Sequence, residues 1–470
     1  MQSNQSTSDD IGENSKLVIG IKYNYPSGGL QGKISNVRIV KGSIPTTYQT
    51  SSTSNSSSIF TSPTSPLTTT SQGATATDVK LLCCNDIGAS GFTKSPGPII
   101  LKGSPQGNTA SPFAASTATD AGAVFGEDED KSIMKCGIYL GNGATTGNEV
   151  DLGFEPQYVM IKRINTTGEW YIYDDMRQIT SWGLNPTEAE LRADSSASEY
   201  DYNRLDLTPR GFRPMYDQAF TNNDGSTYLY FCVRRKDGYV RKPVTTGTDV
   251  FSMVNGASST TLPIFTTNIP IDYYFYQRPE NAAGNWMTGA RLTGATSMKM
   301  NLQDQFQDDS NATFDFSNGF GKWTGDLSAF QLWSFARHAG FDVVVFKGNG
   351  EDGHKIMHSL GKTPEMIWIK NLNRTSDWIV GHKGLNGGTN PWNYQFTIST
   401  RGADAAVSVW NNTAPTSTYF TLDDTAAANY DGEVVEAILF ASTDVSFVGS
   451  YTADGNNTVN VTTGFQPRFL

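Results

Sequence analysis

Apolar and polar residues alternate over short stretches of this chain, and one such stretch is present twice. The sequence LGFEPQYVMIKRINTTGEWYIY at residues 152–173 returns as LGKTPEMIWIKNLNRTSDWIVG at residues 360–381, with Leu, Gly, Pro, Ile, Lys, Asn, Thr and Trp at matching positions. Each copy predicts a strand, at residues 158–163 or 366–371, then a polar turn and a second strand that carries a tryptophan. This order is typical of a β-hairpin.

The alternation also assigns side chains to the two faces of the first hairpin, because neighbouring residues of a strand point to opposite sides. One face is expected to hold Val159, Ile161, Trp170 and Ile172. The other is expected to hold Met160, Lys162, Glu169 and Tyr171.

A duplication on this scale predicts an array of similar modules. Short alternating strands between Gly, Asn and Pro turns predict an all-β fold of tandem antiparallel, jelly-roll-like β-sandwiches. The expected divisions are a partial domain at residues 1–86, a Gly/Ser/Ala-rich linker at 87–132, β-sandwich modules at 133–238, 239–339 and 340–445, and the start of a fourth, incomplete module at 446–470. The middle module is the divergent copy, since it keeps the order of Pro, strand, turn and Trp but has longer connections.

Composition narrows the class of protein. Of the 470 residues, 17% are charged, 11% are aromatic and 46 are Gly, a mixture typical of β-rich extracellular or virion proteins. The net charge of −11 argues against nucleic-acid binding, which needs a clustered cationic face. No apolar run is long enough to insert into a membrane, and the first residues lack the parts of a secretory signal. The four cysteines are expected to be buried or half-buried free thiols.

The N-terminal region resembles a known family. The sequences GKISNVRIVKGSIP at residues 32–45, FTSPTSPLT at 60–68 and VKLLCC at 79–84 are similar to the C-terminal half of a laminin-G/concanavalin-A-like lectin domain of phage tail and virion proteins. The resemblance implies an antiparallel jelly roll, a fold that often carries a carbohydrate or calcium site. The family's N-terminal strands are missing, so we expect either a partner chain that completes the sandwich or a chain that is a fragment.

The repeated modules resemble a second family. The sequences LGFEPQYVMIKR, FARHAGFDVVVFKGNG and LGKTPEMIWIKN, followed by WIVGHKGLNGG, are similar to the tandem C-terminal β domains of marine-phage tail-fibre and virion proteins. The resemblance covers residues 125–470 and implies a bacteriophage virion appendage.

Catalysis by paired carboxylates is the enzymatic alternative, a polysaccharide depolymerase. Asp174-Asp175 and Asp423-Asp424 are candidate pairs, but a chain with 46 acidic residues contains such pairs by chance. No GxSxG, HExxH or phosphate-loop motif is present. We therefore expect no catalytic residues.

Metal binding has two candidate positions. His354 and His358 would form a metal-binding face on a helix, but the Gly-rich sequence beside them predicts a loop and a strand, where they lie far apart. The acidic run at residues 126–130, GEDED, lacks the ligand spacing of an EF-hand, so a solvated turn is favoured over a calcium loop. We expect no cofactor, with Ca²⁺ as the alternative left open.

Aromatic residues are the more informative candidates, because sugar-binding sites stack pyranose rings on exposed Trp and Tyr. Trp170, Trp286 and Trp378 recur at one position of the modules, which favours a role as core anchors. Aromatic residues in the variable loops are the better surface candidates. The predicted carbohydrate-binding residues are Trp392, Asn393, Tyr394, Tyr200 and Tyr202.

These observations together predict a non-enzymatic tail-fibre or similar protein at the surface of a phage virion. The expected partners are other virion proteins, host-surface polysaccharide bound through many weak contacts, and further copies of the chain, with three-fold assembly as the first expectation. A purely structural spacer or capsid-decorating protein is the alternative from another class.

Overall fold

Strands make up most of the regular structure of the described residues, which include one short α-helix. The computed structural model describes residues 37–42, 66–83, 92–94, 134–177, 179–182, 189–215, 220–235, 244, 246–258, 262–280, 284–309, 311–322, 325–400, 402–453, 455 and 458–470. The predicted all-β fold of antiparallel sandwiches is confirmed. The acidic run at 126–130, most of the first predicted domain and almost all of the predicted linker lie outside the described residues.

The chain divides into two compact units, residues 1–97 with 106–119, and residues 98–105 with 120–470. In the first unit, β1 (Val37–Val40), β2 (Val79–Cys83) and β3 (Phe92–Lys94) form an antiparallel sheet in that order. A small core of Leu67, Ala74, Val79 and Leu82 lies against it. A 3₁₀ turn at Ser71–Gly73 is held by the Arg38 guanidinium, which donates to the carbonyl oxygen of Ser71 at 2.8 Å.

Module 1 contains a six-stranded and a three-stranded antiparallel sheet. Its strands are β4 (Met134–Leu140), β5 (Val150–Asp151), β6 (Pro156–Arg163), β7 (Trp170–Asp174), β8 (Ala189–Arg192), β9 (Tyr200–Asp201), β10 (Leu205–Thr208), β11 (Gly211–Pro214) and β12 (Thr227–Arg234). The large sheet has the order β4-β12-β6-β7-β8-β9 and the small sheet the order β10-β11-β5.

Module 2 repeats this arrangement. Its strands are β13 (Phe251–Asn255), β14 (Phe265–Thr266), β15 (Tyr273–Gln277), β16 (Met287–Ala290), β17 (Thr296–Lys299), β18 (Gln307–Asp308), β19 (Ala312–Thr313), β20 (Gly319–Lys322) and β21 (Gln331–Phe335). The large sheet has the order β13-β21-β15-β16-β17-β18, and the small sheet β14-β20-β19.

Module 3 has the same large sheet again. Its elements are β22 (Phe341–Lys347), β23 (His354–Met357), β24 (Met366–Asn371), β25 (Ile379–His382), β26 (Tyr394–Thr397), β27 (Ala405–Ala406), β28 (Tyr419–Leu422), the helix α1 (Ala426–Asn429) and β29 (Val434–Phe440). The large sheet has the order β22-β29-β24-β25-β26-β27, and β23 pairs with β28. In every module, therefore, the first strand pairs with the last, and the last pairs with the strand that begins the hairpin.

Short 3₁₀ helices connect some of these strands, at Asp175–Arg177, Gly247–Asp249, Arg291–Thr293, Leu385–Gly388 and Pro391–Asn393. The described residues after β29 contain no strand, and the fourth module stays a prediction. Within the described part of the chain, no helix has the length and apolar character needed to cross a membrane.

Each large sheet has an inner face, which packs on the small sheet of its own module, and an opposite outer face. The register of the first hairpin pairs Ile161 with Tyr171 and Lys162 with Trp170. The predicted assignment of Trp170 and Ile172 to the face of Val159 is therefore wrong. Both residues lie on the outer face. The turn between the two strands offsets the alternation of side chains by one residue, and an offset of one residue exchanges the two faces of a strand.

The outer faces of modules 2 and 3 pack against each other. The rings of Phe335 and Phe341 are stacked with centroids 4.8 Å apart, and Tyr273 and Phe341 lie 6.1 Å apart. Hydrogen bonds between the modules flank this contact, since the Trp378 indole donates to the carbonyl oxygen of Lys299 at 3.2 Å. The two large sheets thus share one continuous apolar core.

A buried ionic cluster joins all three modules. The guanidinium of Arg337, between modules 2 and 3, donates two hydrogen bonds of 2.7 Å to Glu155 of module 1 and one of 2.8 Å to Asp342 of module 3. Its backbone N–H donates to Asp272 of module 2 at 2.7 Å. Although burial acts in the opposite direction, these carboxylates raise the pKa of Arg337 above its usual range. The cluster fixes the three modules relative to one another.

The repeated Gly-Asn-Gly turns are built in the same way in modules 1 and 3. The buried side chains of Asn222 and Asn429 each accept a hydrogen bond of 3.1 Å from the middle residue of the turn. The last glycine has a φ of 66° at Gly143 and 64° at Gly350, a region that favours glycine. The matching contacts confirm that the two sequence repeats are also structural repeats.

Candidate functional site

Two tyrosines lie at the free edge of the large sheet of module 1. β9 is the last strand of this sheet and pairs with β8, so that Tyr200 lies opposite Glu190. Tyr200 is half-buried, whereas Tyr202, just after β9, is 42% exposed. Their rings are stacked with centroids 6.2 Å apart and planes 22° apart. The structure therefore brings these two predicted residues together in one local aromatic surface.

Arginine side chains support both rings. The guanidinium carbon of Arg192 lies 4.3 Å from the ring centroid of Tyr200, and that of Arg204 lies 3.8 Å from the ring centroid of Tyr202. Arg204 also lies 3.7 Å from the ring of Phe220. A cation over an aromatic face is attracted by the negative face of the ring, so these contacts hold both tyrosines in place.

A fully buried carboxylate holds the two arginines. Glu190 accepts hydrogen bonds of 2.6 and 2.8 Å from Nη1 of Arg204, and one of 3.2 Å from Nε of Arg192. Tyr173 is the third partner, and its hydroxyl donates a hydrogen bond of 2.6 Å to Glu190. A buried carboxylate with this many charge-assisted bonds has a fixed orientation. The tyrosine surface thus rests on a preorganised polar layer.

Glu169 adds a carboxylate at the rim of the same cluster. One of its oxygens lies 2.7 Å from Nη1 of Arg192 and accepts a bond of 3.4 Å from the Tyr171 hydroxyl. Burial, followed by the charge of Glu169, raises the pKa of Tyr171 well above its ordinary value, so its hydroxyl remains a donor. The site combines flat aromatic surface with charged hydrogen-bonding groups, which is the combination that sugar rings and hydroxyls require.

Trp392 does not belong to such a surface, and its expected exposure is wrong. Its side chain is only 6% exposed and packs edge to face on Trp410, with ring centroids 5.4 Å apart. The reason is Gly381 on β25, where a Cβ atom would lie 2.6 Å from Cζ3 of Trp392 and 2.7 Å from Trp410. The missing side chain leaves the space that both indoles fill in the core of module 3.

The two neighbours of Trp392 are half-buried. Asn393 ends the 3₁₀ turn at Pro391–Asn393, and its carbonyl oxygen accepts a bond of 2.9 Å from the backbone of Val407. Tyr394 begins β26 and lies opposite Ala406. These residues belong to the sheet of module 3, so the structure brings Tyr200 and Tyr202 together but places the Trp392 group in another module.

The repeated tryptophans differ in burial. Trp378 is fully buried, as the sequence predicts, whereas Trp170 and Trp286 are half-buried. Trp170 begins the second strand of its hairpin, Trp286 and Trp378 directly precede theirs, and all three lie on the outer face.

In each candidate acidic pair, the two carboxylates have different surroundings. Asp174 forms an ion pair with Arg177, while burial raises the pKa of Asp175 to about 6. Asp423 is buried and accepts bonds of 2.5 Å from the Ser408 hydroxyl and 2.9 Å from the backbone N–H of Thr425. Asp424 beside it is exposed. Asp174 and Asp423 therefore each have a partner that explains their position.

The two candidate histidines lie on and just after a strand, as predicted. His354 on β23 contacts the Asn429 amide oxygen through Nδ1 at 2.7 Å, and Nε2 of His358 lies 3.2 Å from the carbonyl oxygen of Thr416. Burial lowers the pKa of both, to about 4 for His358. Among the described residues, no group of three or more His, Cys, Asp or Glu is arranged to hold a metal ion.

The residues that sequence reasoning missed are Glu190, Arg192 and Arg204. A signal for them is present in the sequence, because Tyr200, Tyr202 and Arg204 follow one another at every second position and so point to the same side of an extended segment.

Comparison with known proteins identifies one family. Residues 118–236 and 309–470 match the family described as a domain of unknown function (DUF7483), and the two segments together cover more than half of the chain. The first segment contains all strands of module 1, and the second contains β19 to β29 and the segment that follows. No curated protein and no solved structure matches the chain.

Proposed function

Because the chain belongs to the DUF7483 family, whose description assigns no activity, we propose its function from its own geometry: it is a non-enzymatic glycan-binding protein of a phage virion appendage. The observation that carries this proposal is the stacked pair Tyr200 and Tyr202 at an exposed sheet edge, with guanidinium groups behind both rings.

A sugar ring needs two kinds of contact from a protein that binds it. The C–H face of a pyranose packs on an aromatic ring, and its hydroxyls need polar partners at the edge of that contact. Tyr202 offers an exposed ring, and Arg192, paired with Glu169, offers charged groups beside the neighbouring ring of Tyr200. Because Glu190 is buried under both arginines, little conformational freedom would be lost on binding.

The location on a virion rests on the sequence resemblance to tail-fibre β domains. A single small stacking site gives a weak contact, and repeated copies on one particle raise the overall affinity without any new contact. We propose host-surface polysaccharide as the ligand and other virion proteins as the attachment partners.

The test is binding of the purified chain to an array of bacterial surface polysaccharides, with Tyr202→Ala as the variant. We expect the wild type to bind at least one polysaccharide and the variant to lose about 1–3 kcal/mol of binding free energy, the usual value of an aromatic stacking contact. Tyr451→Ala is the matched control, because Tyr451 is an exposed tyrosine of the C-terminal segment. Equal binding of wild type and Tyr202→Ala, or no binding to any polysaccharide by the folded chain, would contradict the proposal.

A structural spacer is the second candidate, favoured by the buried cluster around Arg337. That cluster connects all three modules through ion pairs inside the protein, an arrangement that suits a stiff element. A spacer would fail to bind any polysaccharide while retaining its fold, so the same array separates the two functions.

A further inference from the structure

The outer face of the large sheet of module 1 is apolar and open to solvent. Met134, Cys136 and Ile138 of the edge strand β4 and Phe231 of β12 lie on it. Met134 is 59% exposed, Ile138 42% and Phe231 36%. Half-buried residues continue the patch, namely Leu229, Val233, Tyr158, Met160, Trp170 and Ile172. A contiguous apolar patch of this kind on a folded protein indicates an interaction surface.

The same positions are covered in module 3. The pairing of first and last strands places Phe341 where module 1 has Met134, and Ile438 where module 1 has Phe231. Phe341 and Ile438 are both buried. The difference between the modules is therefore not the apolar character of the face but whether another surface lies on it.

The outer face of the other module lies on this face in modules 2 and 3. Phe469 of the C-terminal segment also packs on the outer face of module 2, with its ring centroid 5.6 Å from that of Phe251 and 5.8 Å from that of Phe275. The stacked pair of Phe335 and Phe341 and the indole of Trp378 lie between the two large sheets. Trp378 is completely buried there. Outer faces of this module type are thus complementary to each other, and the chain contains one such face that has no counterpart among the described modules.

We propose that the outer face of module 1 binds the same face of a second copy of the chain, so that the protein forms a two-fold symmetric dimer. A two-fold axis brings the same patch of both copies into contact. This symmetry suits an outer face, because outer faces of these modules pack on each other. Apolar side chains dominate this patch, so the contact needs no matching of opposite charges. Lys162 on this face donates to the carbonyl oxygen of Gly168 and lies 5.8 Å from the ring of Trp170, and Asp174, opposite Tyr158 on the same face, forms an ion pair with Arg177.

This inference is independent of glycan binding, because Tyr200 and Tyr202 lie at the other edge of the sheet from β4. It also specifies two copies, where the sequence resemblance to fibres implies three.

The first measurement is the mass of the full chain in solution by sedimentation velocity over a range of concentrations. We expect a dimer for the wild type and a monomer for Phe231→Glu, because the charge would have to be buried in the interface. Met134→Glu is the second variant, since it lies on the edge strand, is more exposed and threatens the fold less. The control is Val461→Glu, an exposed apolar residue outside the patch, which should remain a dimer.

The second measurement is the alkylation rate of Cys136, followed by peptide mapping. The thiol is exposed in a single chain, so slow alkylation in the wild type and fast alkylation in Phe231→Glu would support the dimer. A wild-type monomer, a trimer, or a dimer that persists in both glutamate variants would overturn the proposal. A monomer with a protected Cys136 would also overturn it, because a segment of the same chain would then cover the face.

Discussion

Glu436 provides the sharpest test of how the modules are joined. It lies on the outer face of β29 between Val434 and Ile438, and its side chain is fully buried in the contact between modules 2 and 3. Neither of its carboxylate oxygens has a hydrogen-bond partner among the described residues. The cross-strand neighbour Lys370 directs its ammonium to the carbonyl oxygens of Gln303 and Ser376. Glu436 is thus a buried acid without compensation.

Burial raises the pKa of Glu436 from 4.5 to about 8. The unfolded chain releases the proton above pH 4.5, but the folded chain keeps it until about pH 8, so stability is lost as the pH rises between these values. Each unit of difference is worth about 1.4 kcal/mol, so the loss at pH 7 is about 3 kcal/mol and at pH 5 less than about 1 kcal/mol. Glu436→Gln has nearly the same shape and no charge. We therefore expect it to stabilise the protein by these amounts.

The assay is urea unfolding followed by tryptophan fluorescence at pH 5 and pH 7. Glu433→Gln is the control with the opposite sign: although partial burial acts against it, hydrogen bonds from Arg374 and Asn371 lower the pKa of Glu433, so its loss should destabilise the protein at pH 7. A Glu436→Gln variant that is no more stable than wild type at pH 7, or that is stabilised equally at both pH values, would refute the reasoning.

Three further predictions concern the buried groups of modules 2 and 3. Arg337→Met leaves the buried Asp342 without its cation and Glu155 with only the 3.4 Å ion pair to Arg235, so it should cost about 3–5 kcal/mol in urea unfolding. Lys383→Ala, which removes an exposed ion pair, should cost less than about 1 kcal/mol. Gly381→Ala places a Cβ atom against two tryptophan rings and should cost about 1–3 kcal/mol, with a changed near-UV circular dichroism spectrum. Burial lowers the pKa of His358 from 6.5 to about 4, so only the unfolded chain takes up its proton between these values. Because burial lowers the pKa of His338 to about 4 as well, the contribution of His358 is the difference between the Glu436→Gln variant and the same variant with His358→Gln added. From pH 7 to pH 5 the first variant should lose about 2 kcal/mol more stability than the second, and an equal loss in both would contradict this.

The hairpin shows what the sequence could predict. The strand predicted at residues 366–371 matches β24, and the one predicted at 158–163 lies within β6. Period-2 alternation and turn residues are local signals, so the strands that they predict are found in the folded protein. The face of Trp170 was predicted wrongly because the register across a turn depends on its backbone geometry, which alternation within one strand does not encode.

The candidate site was predictable only in part, for a related reason. Tyr200 and Tyr202 are near neighbours along the chain, so their stacking is a local property. The burial of Trp392 depends on Gly381 and Trp410, which β-sheet pairing brings close from other strands. Glu190 likewise acquires its role through Arg204, a contact made across the sheet edge. The pattern within one strand does not show which residues of other strands will contact it.

The apolar pattern of a strand reflects how many of its two faces are covered. Strands buried on both faces read as nearly continuous apolar runs, whereas strands with one solvated face alternate cleanly. In module 3, MIWI of β24 is such an apolar run, and Lys370, which follows it on the outer face, is fully buried. In module 1, YVMI of β6 is likewise apolar, but Lys162, at the position that matches Lys370, is only half-buried. The sequence of module 1 is thus that of a sheet with two covered faces, and the contact between modules 2 and 3 indicates what kind of surface the second cover is.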